Sequence, residues 1–77
     1  MNIEHDSDLY RLERDRFGFF TLTRKSDGAT QFFQSQDDRD LWDRNLRTMR
    51  QGKAPPASFD GLCASYDYDD APWQPKQ

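Results

Sequence analysis

The dipeptide Asp27-Gly28 stands between two runs of aromatic and β-branched residues, and it constrains this chain more than any other feature. Asp-Gly in that setting is a strong hairpin signal, because both residues tolerate the positive φ of a type I′ turn. Residues 17–24 therefore read as a strand. Phe20 and Leu22 fall on one face, and Phe19, Thr21 and Thr23 on the other. Residues 29–34, with Phe32 and Phe33, return as its partner. Upstream, Tyr10, Leu12 and Arg14 alternate with Leu9, Arg11 and Glu13, which suits a further strand with one buried face. Asp15-Arg16 is read as the connecting turn. Sequential strands are usually neighbours, so the expected sheet is a three-stranded antiparallel meander.

A helix follows. Ser35 is a suitable N-cap, and Asp37, Asp38 and Asp40 place negative charge near the helix start. Arg44, Arg47, Arg50 and Lys53 place positive charge near its end, so both ends complement the helix dipole. Leu41, Trp42, Asn45, Leu46 and Met49 form one stripe at helical spacing. Gly52 suits the C′ position, and Pro55-Pro56 stops the helix. The expected fold class is α+β, a βββα unit with the helix on one sheet face. Its expected core is Leu12, Phe20, Leu22, Phe33, Leu41, Trp42, Leu46 and Met49. The expected organisation is a loose N-terminus over residues 1–8, the βββα domain over 9–53, and an extended acidic, aromatic segment over 54–77. Within that last segment, residues 64–68 read either as a short added strand or as chain lying across the sheet.

Composition limits the core. The chain has 77 residues, of which 34% are hydrophobic and 32% charged. A chain this short buries only about 60% of its unfolded surface, so little apolar material is spare and homodimerisation is a natural remedy. The net charge is −3. Counting Asp and Glu against Lys and Arg gives −2 over residues 1–16, +1 over 17–35, +1 over 36–53 and −3 over 54–77. A neutral middle with acidic ends is unlike the basic balance of a general nucleic-acid binder. The start of the chain has neither the basic nor the apolar stretch of a signal peptide, and no apolar run is long enough to span a membrane. A cytoplasmic location is the expectation.

Chemistry is hard to find. His5 is the only histidine, and it reads as a solvated side chain in the loose N-terminus. Cys63 is the only cysteine, which leaves no intramolecular disulfide and no cysteine-based zinc site. Its acidic surroundings oppose a thiolate, so it reads as a semi-buried apolar residue. Asp67, Asp69 and Asp70 lack the spacing of a calcium loop, and no glycine-rich phosphate loop is present. The chain is expected to be non-enzymatic, with no catalytic residue, metal or cofactor.

The expected function is binding to a protein partner. The candidate contact residues are Asp60, Tyr66, Asp67, Tyr68, Asp69, Asp70 and Trp73 of the C-terminal segment, together with Asp37, Asp38 and Asp40 of the helix start. Aromatic side chains with polar tips are enriched at interface hot spots. Spaced acids suit a basic groove built for nucleic acid. Small phage inhibitors of host defence, anti-CRISPR proteins among them, share this size and charge, although no motif here assigns the chain to such a family. The alternatives are a structural or regulatory subunit of a bacterial complex, and a single-strand binder stacking bases on Phe17, Phe19 and Phe32 with Arg44, Arg47 and Arg50 on the phosphates.

Overall fold

The computed structural model describes residues 2–67 and 72–75. The class is α+β, with four antiparallel strands and two helices instead of three and one. The strands β1 (Asn2–Asp6), β2 (Tyr10–Arg14), β3 (Phe20–Arg24) and β4 (Thr30–Phe33) lie side by side in chain order. Helices α1 (Gln36–Arg50) and α2 (Pro56–Ser65) follow.

The expectation of a loose N-terminus is corrected: residues 2–6 are a paired edge strand. Ile3 opposes Glu13 and His5 opposes Leu12, so Glu4 is an extra residue that bulges the strand. His5 lies over the same sheet face as Leu12, which buries its ring instead of solvating it. The turns also differ from the expected ones. A type I′ turn needs two consecutive residues at positive φ, yet only Gly28 (φ 77°) has it. The loop is therefore longer. Gly28 N–H donates to Arg24 O, Arg24 N–H donates to Ala29 O, and Asp27 Oδ1 accepts from Ala29 N–H. At the other end, residues 17–19 belong to a loop and not to β3. Asp15 Oδ1 accepts from the N–H groups of Phe17 (2.9 Å) and Phe19 (3.0 Å), so this carboxylate shapes the loop as a local turn.

Helix α1 begins as expected. Ser35 Oγ accepts from Asp38 N–H at 3.1 Å. It ends in a Schellman motif, with Lys53 N–H bonded to Thr48 O, Gly52 N–H bonded to Met49 O, and Gly52 at φ 72°.

Trp42 is the hub of the core. Its ring lies 6.3 Å from Phe20, 5.4 Å from Phe33, 5.6 Å from Phe59 and 5.2 Å from Tyr66. Aromatic pairs of this kind add about 0.5–1.5 kcal/mol each beyond area burial. Leu12, Phe20, Leu22, Phe33, Trp42 and Leu46 are buried as expected. Met49 is partly buried against them, and Leu41 is only half-buried. Tyr10, Ala29, Phe59, Cys63 and Trp73 complete the core.

Three of those five come from the segment expected to be extended. Residues 56–65 are helical instead, so residues 64 and 65 take neither the short strand nor the extended path weighed for them. Pro56 suits the first helical position, whereas Gly61 weakens the interior. Phe59 and Cys63, four residues apart, face the core, and this packing holds the helix. Farther on, Gln74 exchanges two backbone hydrogen bonds with Thr30 on the edge of β4, at 2.9 and 2.7 Å. Both helices lie over the sheet face of Leu12 and Phe20. Among the described residues no element covers the opposite face.

Candidate functional site

Two places on this scaffold collect side chains with chemical potential. The first joins the strands to α2. Asp60 Oδ1 accepts from Ser7 Oγ (2.6 Å) and lies 3.1 Å from His5 Nε2. His5 is buried, with its ring centroid 4.5 Å from Phe59. The carboxylate is the middle member of this trio. A nucleophilic triad needs the histidine in the middle, taking the serine proton, so the arrangement ties elements together and does not activate Ser7. Cys63 is fully buried, and burial followed by the charge of Asp60 pushes its thiol up to about 12. It stays protonated at neutral pH, without the thiolate a nucleophile needs. Among the described residues no group of three or more His, Cys, Asp or Glu side chains is placed to hold a metal ion.

The C-terminal candidates turn inward. Asp67 Oδ2 accepts from Tyr10 Oη at 3.0 Å, and its Oδ1 accepts from Arg24. Burial, then this hydrogen bond, raises Tyr10 to about 12. Tyr66 stacks on Trp42, and burial raises its phenol as well. Trp73 is only 6% exposed and lies under the Arg24 guanidinium, 4.7 Å from ring centroid to cation. The structure thus brings Asp67 and Trp73 together around Arg24 while using both as cover for the sheet. Tyr68, Asp69 and Asp70 lie outside the described residues.

The helix-start candidates remain outside. Asp37 and Asp40 are exposed and Asp38 is half-buried. Asp40 accepts from Gln36 Nε2 at 2.8 Å. Asp43, one turn on, pairs with Arg14.

The second place is a corner of the uncovered sheet face. Phe32 (49% exposed) packs edge-on against Phe19, with ring centroids 5.9 Å apart. Phe17, 66% exposed, projects from the loop that Asp15 shapes, and Arg16 lies over its ring. Arg39 links this corner to the helix start. Its guanidinium sits 5.3 Å from the Phe19 centroid and donates to Gln36, which in turn donates to Asp40. Aromatic surface and exposed acid therefore adjoin here, between the β2–β3 loop, β4 and the first turn of α1.

Sequence reasoning placed Phe17, Phe19 and Phe32 together only for base stacking. The signal for an exposed corner was present in their alternation against Phe20 and Phe33. The Ser7–Asp60–His5 cluster had no local signal, since Asp60 is 55 residues from His5. The chain matches no protein-family model, and it matches neither a curated protein nor a solved structure.

Proposed function

We propose that this chain is a non-enzymatic binding protein that covers a basic, nucleic-acid-binding face of a protein partner. The contact is the corner of Phe17, Phe19 and Phe32 with Asp37 and Asp40. One observation carries this reading: Phe17 and Phe32 stay largely exposed in a chain with little apolar material to spare, and an ordered loop holds Phe17 in place. Aromatic anchors ringed by charge are the usual composition of an interface hot spot. Asp37 and Asp40 add negative potential that steers a basic partner and sets register. The C-terminal segment contributes indirectly, by covering the other face so that this one is free.

The test starts with native mass spectrometry of affinity captures, which names the partner, followed by titration with the purified partner. Replacing Phe17 and Phe32 by Ser leaves folding intact and costs about 2 kcal/mol or more of binding, the scale of a hot spot. Asp37→Lys with Asp40→Lys weakens binding and flattens its salt dependence. Undiminished binding by both double variants refutes the assignment. The same corner also fits single-stranded nucleic acid, because Arg16 and Arg39 already lie over aromatic rings there. Anisotropy of a labelled oligonucleotide at low salt separates the two. Protein covering predicts no saturable signal, whereas a signal that fades with salt and vanishes on Phe32→Ser favours nucleic acid.

A further inference from the structure

An open cleft of about 530 Å³ lies away from the aromatic corner. It is lined by the run from Glu4 to Ser7, by Met49 and Arg50 at the end of α1, and by Asp60 of α2. Its size is within the range of small-molecule sites. Three carboxylates line it, and two of them are neutralised. Glu4 pairs with Arg14 and Arg50, and Asp6 pairs with Lys25 and Arg11. Asp60 has no lysine or arginine partner among the described residues, although its side chain is only 21% exposed. Its Oδ1 is used by Ser7 and His5, while its Oδ2 has no partner among the described residues. A partly buried carboxylate without a full counter-charge is costly, and a cation in the cleft relieves that cost.

We propose that this cleft binds a primary ammonium group on an alkyl chain, with Asp60 as its counter-ion. The rest of the lining selects that chemistry. Ser7 Oγ already donates to Asp60 and accepts from the Leu9 and Tyr10 N–H groups, so it has little capacity left for a ligand. The acceptor that remains is Asp60 Oδ2. One carboxylate oxygen is too little for a divalent cation that wants six or more oxygens, or four N and S ligands. It suffices for an ammonium, whose other two protons stay hydrated. Met49 gives the alkyl chain an apolar, adaptable wall. His5, 8% exposed, reports on the site because it is the only histidine of the chain.

The experiment follows the His5 ring signals and the residue 4–7 amides by NMR during titration of the whole chain. The probes are 1,5-diaminopentane, N-acetyl-lysine methylamide and the neutral 1,5-pentanediol. The expected result is saturable shifts at His5 with at least one amine and binding by the diol weaker by about tenfold at the least, since a charge-assisted hydrogen bond carries about 1.5–3 kcal/mol. The diamine binding marks a free amine as the source, and the lysine derivative alone binding marks a protein side chain. Asp60→Asn removes the shifts, and Asp8→Asn, altering an exposed acid outside the cleft lining, keeps them. Where Asp60→Asn fails to fold, the diol comparison on the unaltered chain still decides. Equal binding of diol and amine, shifts elsewhere than the cleft, or a His5 ring that no amine perturbs overturns the proposal.

Discussion

Cys63 shows how one residue's chemistry follows from its place. Its side chain lies against the core with Asp60 nearby, and its thiol is pushed from 9.0 to about 12. A group whose folded pKa is raised holds its protons more tightly in the folded state. Its contribution to stability is complete below about pH 9 and is lost as pH rises towards 12. Tyr10, raised from 10.0 to about 12, acts in the same direction over a narrower window. Two outcomes follow. At pH 8 a disulfide reagent leaves the folded protein unmodified and reacts promptly once denaturant unfolds it, as read by absorbance. Thermal stability then falls between about pH 9 and 12, and Cys63→Ala makes that fall shallower. Rapid labelling of the native state contradicts the burial of Cys63.

At the scale of elements, β3, β4 and α1 were legible in the sequence because each has a local cause. β-Branched and aromatic alternation, the Asp27-Gly28 pair, a Ser35 cap and a 3.6-residue stripe all act within a few residues. β1 and α2 were not legible, because their causes are distant. β1 is a polar edge strand whose one buried side chain, His5, is met by Asp60 and Phe59. α2 has weak propensity and little amphipathic pattern, and only the docking of Phe59 and Cys63 settles it. Gly61 tests that helix. A Cβ there meets nothing within 4 Å, so Gly61→Ala stabilises by about 0.5–1 kcal/mol and raises the melting temperature by several degrees. Gly52, equally unobstructed but at φ 72°, is destabilised by the same change. A loss of stability with Gly61→Ala contradicts a helix there.

The β3–β4 hairpin makes a prediction with the opposite pH sign. Arg24 bonds Asp27 and holds its carboxyl at about 2 against an ordinary 3.8. A depressed folded pKa contributes stability above about pH 4 that disappears as pH falls towards 2. Asp27→Asn flattens that part of the acid-denaturation curve. An unchanged curve rules out this ion pair as a source of acid sensitivity.

For the whole molecule, the central matter is how a thin sheet divides its two faces. α1, α2 and Trp73 crowd onto one face, and the other carries threonines, paired charges and the aromatic corner. The candidate site was legible in part: the helix acids stayed outside, whereas Asp60, Tyr66, Asp67 and Trp73 became cover. Composition suggested an interacting tail because acids interleaved with aromatics look alike in either role. What distinguishes them is Arg24, which draws Asp67 and Trp73 inward from a position remote in sequence. The most direct measurement is thermal unfolding, by near-ultraviolet circular dichroism, of the chain lacking residues 56–77. Removing Phe59 and Tyr66 from around Trp42, and Cys63 and Trp73 from the rest of the core, predicts no cooperative transition and no fixed aromatic signal. A truncated chain that melts cooperatively with a native-like aromatic spectrum contradicts the account and returns the segment to the surface.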